Sequence, residues 1–305
     1  SNILWIYLSW MYDPAVCGIR LFRRYGVLDC STKYYWALSL WSRSKAGLEG
    51  ILGKIWLNKA CIRMELKVAI LRADDVRPEL ADTYGEYPEM FEVLLSEANK
   101  QRPLKDQVVL KAMAYRTNQG VFPANIDEYD AYIITGSKSG VYEDLPWVDL
   151  LADFVKVLHQ HKKPLIGICF GHQLIANVLG GKAGKASSGW EIGVKTATLN
   201  TTGNSLIGGD FFKLLYSHQD QVFEPATGAK VLASTPGCPI AMTALDQHIL
   251  TFQGHPEFPT AYANALYQLR KDAYPLECFR DAMASLNEDT DHLAVARWMI
   301  DFMAR

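Results

Sequence analysis

Two stretches of the chain hold residues whose types and order suit covalent attack on a carbonyl carbon. The first is Leu165-Ile166-Gly167-Ile168-Cys169-Phe170-Gly171-His172-Gln173. An apolar run feeds Gly-x-Cys-x-Gly, and a helix-like segment, Leu174 to Val178, follows. The pattern reads strand, sharp turn, helix, with the cysteine at the turn. Small residues are needed on both sides of such a nucleophile elbow because its backbone is strained and crowded. A side chain there sits at a helix N-terminus, where unpaired N–H groups and the helix dipole favour negative charge. A buried cysteine between two packing glycines would read the same way. The second stretch, Phe252-Gln253-Gly254-His255-Pro256-Glu257-Phe258, follows the strand-like Ile249-Leu250-Thr251. A nucleophilic cysteine needs a base, and the base needs an acceptor to orient it. His255 and Glu257 are two residues apart, so on an extended or turning backbone Glu257 can hold the imidazole while His255 faces Cys169. His-Pro-Glu alone would also suit a surface loop, and the elbow upstream gives it weight.

The segments around these stretches must position them. Leu66 to Leu71 is apolar enough to be a strand buried on both faces. Arg72 to Tyr84 reads as a polar loop. Pro88 opens a helix with Tyr87, Met90, Phe91, Leu94, Leu95 and Ala98 at helical spacing. Strands follow at Val108–Met113 and Ala131–Thr135. Pro146 opens a second helix with Trp147, Leu151, Phe154 and Leu158 on one face, and Pro164 ends it before the elbow strand. Gly180-Gly181 closes the elbow helix. Strands are then expected at Trp190–Leu199, Val231–Ser234, Ile240–Ala244 and Ile249–Phe252, and Phe211 to Tyr216 leads into Ser217-His218-Gln219-Asp220. Helices are expected near Leu266–Leu269, Cys278–Leu286 and Leu293–Met303. Alternating strands and helices imply an α/β fold, a doubly wound, mostly parallel sheet with helices on both faces. In such folds reactive residues lie at the C-terminal ends of strands, where Gly136 and Cys169 both fall.

The elbow cysteine, the later His-x-Glu and the strand-to-small-loop segment Ile133-Ile134-Thr135-Gly136-Ser137 occur in an order that resembles the class I, triad-type glutamine amidotransferases. The resemblance runs from about Lys67 to Phe258. It is nearest to stand-alone proteins similar to the amidotransferase domain of GMP synthase, and it implies a flavodoxin-like sheet. It also implies roles. Cys169 would attack the γ-carboxamide of glutamine or of a γ-glutamyl group. The backbone N–H groups of Gly136 and Phe170 would hold the oxyanion, each such donor being worth about 3 kcal/mol. His255 would protonate the leaving amine and then activate water against the thioester, with Glu257 orienting it. Gln173 and the segment His218-Gln219-Asp220 would contact substrate, and Tyr142 and Glu143 would line the mouth. No metal or organic cofactor is needed for this half-reaction.

The resemblance leaves the ammonia acceptor open. No glycine-rich nucleotide loop follows Phe258, and Pro259 to Arg305 is too short for a synthetase domain. The leading expectation is a glutaminase half-reaction that passes ammonia to a separate acceptor or synthetase subunit. A stand-alone γ-glutamyl peptide hydrolase is the alternative, and a catalytically silent binding module on the same scaffold is a third. Intact Cys169, His255 and Glu257 argue against the third. A cysteine protease or chaperone-like member of the wider superfamily would share the elbow but not the placement of His-Pro-Glu.

Composition bounds the rest. The chain has 305 residues, 49% hydrophobic and 21% charged, as in an ordinary globular protein. Its net charge of −2 hides an asymmetry. Residues 1–63 hold nine Lys/Arg against three Asp/Glu, so the remainder carries −8. Five of the eight tryptophans and three of the six cysteines also lie there. The break sets a boundary at Met64, with 1–63 an N-terminal extension, non-native or accessory, and 64–305 the amidotransferase-like domain. Asn2 to Tyr12 is apolar but too short to span a bilayer, and it lacks the basic start of a signal peptide. A cytoplasmic location is expected. The acidic core has no concentrated basic patch, which argues against nucleic-acid binding. The cysteines do not form a disulfide framework. His159 and His161, at alternate helix positions, do not face one side and read as solvent-facing rather than as a metal pair. His172 is expected to pack or hydrogen-bond locally, and Asp74-Asp75 lies in a polar loop without further metal ligands.

Overall fold

Nine strands form one sheet in the computed structural model, which describes residues 64–305. The reading of residues 1–63 as an extension lies outside the described residues. Five neighbouring strands are parallel: β1 (Glu65–Leu71), β2 (Val109–Tyr115), β3 (Ala131–Ile134), β4 (Leu165–Ile168) and β11 (Ile249–Phe252), in the order β2-β1-β3-β4-β11. The sheet continues antiparallel through β10 (Met242–Leu245), β9 (Lys230–Ser234), β6 (Glu191–Leu199) and β7 (Phe211–His218). A separate two-stranded ribbon pairs β5 (Lys182–Lys185) with β8 (Asp220–Glu224). The doubly wound sheet is therefore mixed, and its parallel half carries the elbow.

Both faces of the parallel half are apolar because helices cover both. Leu66, Val68 and Ile70 of β1 point into one layer with α2 (Tyr87–Lys100) and α8 (His292–Met303). Ala69 and Leu71 point into the other layer, with α3 (Pro146–Gln160) and α4 (Phe170–Val178). The buried stripe of α3 is Val148, Leu151, Val155 and Leu158. Trp147 and Phe154, expected on that stripe, are only partly buried beside it. A third apolar cluster joins α1 (Pro78–Tyr84), α6 (Thr260–Leu269) and α7 (Leu276–Ser285) to Ile192, Val194 and Leu215.

Three elements depart from the sequence reading. Arg72–Tyr84, read as a loop, contains α1, started by Pro78, with Leu80 its one buried residue and Ala81 and Tyr84 packed at the edge. One buried residue leaves almost no helical periodicity to detect. The segment Lys182-Ala183-Gly184-Lys185 is a strand only because β8 pairs with it. α5 (Thr201–Ile207) is started by Asn200, whose side chain accepts from the Gly203 amide at 2.9 Å, an N-cap within a polar stretch.

Candidate active site

Cys169 has φ 51° and ψ −98°, a left-handed conformation that costs energy for a side chain with a Cβ. Its neighbours explain how the turn is tolerated. A Cβ on Gly167 would lie 2.7 Å from the backbone of Gly171, and one on Gly171 would lie 2.7 Å from the Ile134 carbonyl oxygen. Only glycines let α4 approach the sheet this closely. The Cys169 amide donates to the Phe252 carbonyl at 2.8 Å, tying the elbow to the end of β11.

The parallel pairing of β4 with β11 brings the two chemical stretches together. Ile168 sits opposite Phe252 in the register, so the residues that follow both strands emerge side by side. On the other flank Ile134 sits opposite Gly167, which carries Gly136 to the same edge. A Cβ on Gly136 would fall 2.9 Å from His255 Cε1 and 3.7 Å from Cys169 Cβ, so this glycine packs against both. Thr135 pins its loop, accepting from the Ala73 amide and donating to the Gly136 carbonyl, each at 3.0 Å. Among the described residues, neither the Gly136 nor the Phe170 amide donates to a protein acceptor. Both amides are thus without a protein partner beside or next to Cys169.

His255 Nδ1 lies 2.8 Å from Glu257 Oε1, and both residues are almost fully buried. A carboxylate can only accept, so Nδ1 carries the proton and Nε2 is left for another partner. The ring stacks on Phe258 with centroids 3.9 Å apart, and the His255 amide donates to the Leu215 carbonyl at 2.7 Å. Burial opposes the charged imidazole, but Glu257 and Cys169 together outweigh it and push its pKa up to about 10. The arrangement can pass a proton between sulfur, nitrogen and a leaving group in a site largely closed to water.

The elbow opens into a cavity of about 240 Å³. Cys169, Gln173, Ser137–Gly140, Tyr142, Glu143 and Ser217–Asp220 are among the residues that line it. Gln173 reaches across the site. Its Nε2 donates to the Asp220 carbonyl at 2.7 Å and to Gln253 Oε1 at 3.1 Å. His218 Nδ1 donates to the Asp220 carbonyl at 2.9 Å, which leaves the buried Nε2 lone pair without a partner. Burial lowers the His218 pKa to about 3, so the ring is neutral. The Gln219 carbonyl accepts from the Ala186 amide at 3.0 Å. The Tyr142 hydroxyl donates to Asp220 Oδ1 at 3.4 Å across the mouth. Burial raises the pKa of Asp220, against the pull of Tyr142 and Lys185.

Several side chains at this site were not among the sequence candidates. Gln253 is fully buried, with Nε2 3.5 Å from Cys169 Sγ, and it links Cys169 to Gln173. The signal was its place two residues before His255. Lys185, Trp190 and Arg270 also line the cavity. No motif marks them, because they arrive from β5, the loop before β6 and the end of α6.

Other sequence readings change. His159 is half-exposed rather than free in solvent: its Nδ1 lies 2.9 Å from His248 Nε2 and the two rings stack. The strand loop that brings His248 there is invisible to helix spacing. His161 is exposed. His172 bonds across the sheet rather than locally. Its Nε2 donates to the Ile240 carbonyl at 3.0 Å, and its Nδ1 accepts from the Thr251 hydroxyl at 2.7 Å. Asp74 grips Lys138, with 2.7 Å from Nζ and 2.9 Å from the amide, and so braces the Gly136 loop. Among the described residues no cluster of His, Cys, Asp and Glu is placed to hold a metal, and no helix is long and apolar enough to cross a membrane.

A strained cysteine elbow thus stands beside a carboxylate-held histidine on a doubly wound sheet. The family model described as glutamine amidotransferase class-I matches residues 104–267. The chain belongs to the class-I glutamine amidotransferase family. It is 32% identical to a glutamine amidotransferase-like protein of Schizosaccharomyces pombe, over 68% of this chain and 85% of that one. It is 34% identical to gamma-glutamyl peptidase 3 of Arabidopsis thaliana, over 58% of this chain and 70% of that one. In fold it is similar to a crystal structure of a glutamine amidotransferase from Thermotoga maritima, with TM-score 0.62 at 18% identity, over 80% of this chain and all of that one.

Proposed function

We propose that the chain hydrolyses the amide bond at the γ-carbonyl of a glutaminyl or γ-glutamyl compound through a thioester on Cys169, with residues 64–305 as the catalytic domain. Cys169 Sγ, as a thiolate beside the already protonated His255, attacks the carbonyl carbon. The oxyanion is held by the amides of Gly136 and Phe170. Collapse of the intermediate breaks the C–N bond, and His255 gives its proton to the departing amine. His255 then takes a proton from water, whose oxygen attacks the thioester, and glutamate leaves. Glu257 holds His255 in the required tautomer and offsets its charge in both steps. The observation that carries this reading is the left-handed Cys169 backbone beside a histidine clamped at 2.8 Å by a buried carboxylate. A structural cysteine needs neither.

Glutamine is the smallest substrate for this chemistry, with ammonia handed to a separate acceptor or synthetase subunit. A second reading is a γ-glutamyl peptide, and one observation favours it. The cavity that holds Cys169 is also lined by Lys185, Trp190 and Arg270, polar and aromatic groups that ammonia does not need. The similarity to an Arabidopsis gamma-glutamyl peptidase supports the same reading. The test is glutamate release from glutamine and from a γ-glutamyl dipeptide by the purified chain, with Cys169→Ala as control. Turnover of either that is lost in Cys169→Ala is expected. Turnover that survives the substitution would overturn the proposal.

A further inference from the structure

Three cationic side chains line the cavity, and they are not equivalent. Lys138 is paired with Asp74 at 2.7 Å. Lys185, at the end of β5, forms no ion pair among the described residues, although it stands near enough to Asp220 to favour that carboxylate's charge. Arg270, just past α6, likewise forms no ion pair there. Its guanidinium lies 4.8 Å over the Trp190 ring and 5.7 Å from that of Tyr274. Those two rings meet edge to face, with centroids 5.1 Å apart, and form a corner around the cation. The two acids of the cavity are already engaged. Glu143 accepts from the Gly140 amide at 2.8 Å, and Asp220 accepts from Tyr142. The cavity lining thus presents a half-buried, aromatic-braced guanidinium that forms no ion pair with a protein carboxylate among the described residues.

Bracing matters physically. A planar fork held against aromatic faces loses little further freedom when it binds a carboxylate in two-point fashion. Such a group is poorly suited to ammonia, which carries nothing for it to hold. We infer that Arg270, seated on Trp190 and Tyr274 and assisted by Lys185, is a subsite for the free carboxylate of the leaving group. The preferred substrate is then a γ-glutamyl amino acid or short γ-glutamyl peptide with an ionised C-terminus. This rests on the hydrolase reading of the Cys169 site and narrows it. Arg270 lies beyond residues 104–267, so the family match does not itself supply this subsite. The carboxylate sits on the departing amine, so its contact contributes to binding and orientation at the acyl-enzyme step and leaves with the first product.

The experiment compares γ-glutamyl-alanine with its neutral analogue γ-glutamyl-alaninamide, with glutamine as a third substrate. The chain is expected to favour the carboxylate peptide over the amide in kcat/KM by about tenfold to a hundredfold, the usual yield of a hydrogen-bonded charge pair. Arg270→Gln should collapse that ratio, with the loss falling on the carboxylate peptide, and Arg270→Lys should restore part of it. Added salt should shrink the ratio. Equal use of the two peptides by the unmodified chain would overturn the inference. So would an Arg270→Gln variant that weakens both alike. If no substrate turns over, the hydrolase reading fails separately, and calorimetric titration of both peptides into Cys169→Ala still decides the subsite. Tighter binding of the carboxylate peptide, erased by Arg270→Gln, would uphold it. Equal binding of the two, or no binding of either, would overturn it.

Discussion

Glu257→Gln keeps the shape of the buried side chain and removes its charge. In the structure Glu257 accepts from His255 Nδ1 at 2.8 Å, both groups are shielded from water, and Glu257 Oε2 has no other partner. A hydrogen bond to a charged group contributes about 1.5–3 kcal/mol, or roughly tenfold to a hundredfold in rate where the charged His255 is what the reaction uses. The glutamine amide can also turn its NH₂ toward Nδ1, which selects the tautomer that withholds the base from Cys169. The ceiling on the loss is then the general acid–base contribution itself, about 10²–10⁴. The expected result is a kcat/KM for glutamate release lowered by about 10²–10⁴ in a variant that stays folded by circular dichroism. A second readout follows from the raised pKa of His255. A folded-state pKa above the ordinary value of 6.5 stabilises the fold fully below pH 6.5, and that stabilisation is lost as pH rises through about 10. The melting temperature of the unmodified chain should therefore decline over this alkaline window, and the decline should shrink in Glu257→Gln. A folded Glu257→Gln variant with activity within about threefold of the original would refute the reasoning, since a bond that small is below the charged range.

Three further outcomes follow. Gly171→Ala places a Cβ 2.7 Å from the Ile134 carbonyl oxygen, which cannot yield, so a loss of about 1–3 kcal/mol and roughly 2–10 °C in Tm is expected by calorimetry, together with lost turnover. Gly136→Ala puts a methyl 2.9 Å from His255 Cε1 and should lower kcat by at least about tenfold while Tm falls much less than in Gly171→Ala, measured by paired kinetics and thermal melts. His172, buried and lowered by that burial to about 4, is neutral when folded, so folding loses stability as pH falls from 6.5 toward 4 while the unfolded chain takes up the proton. His172→Gln should flatten the acid limb of a Tm-against-pH profile, and an unchanged slope would count against the assignment.

Much of this site was legible in the sequence because its strongest constraint is local. Gly-x-Cys-x-Gly after an apolar run encodes the elbow, since only residues without a Cβ at 167 and 171 let α4 close onto β3 and β4. His255 and Glu257 meet across a single intervening proline, again a local matter. The helices with a full apolar stripe were readable for the same reason, whereas α1, with Leu80 alone buried, was not. What the sequence could not order was the sheet. Cys169 and His255 are neighbours because β11 runs parallel beside β4, a pairing that skips six intervening strands of the chain. That pairing also delivers Gln253 to Cys169, brings His248 to His159 and sends His172 across to Thr251 and Ile240. The cationic end of the cavity is a tertiary product altogether. Lys185, Trp190 and Arg270 are separated along the chain, carry no common spacing and acquire a shared role only when β5, the start of β6 and the end of α6 converge on one opening. Backbone sterics are written into adjacent residues and can be read from them. The order in which strands associate depends on the burial of whole faces, and no short motif records it.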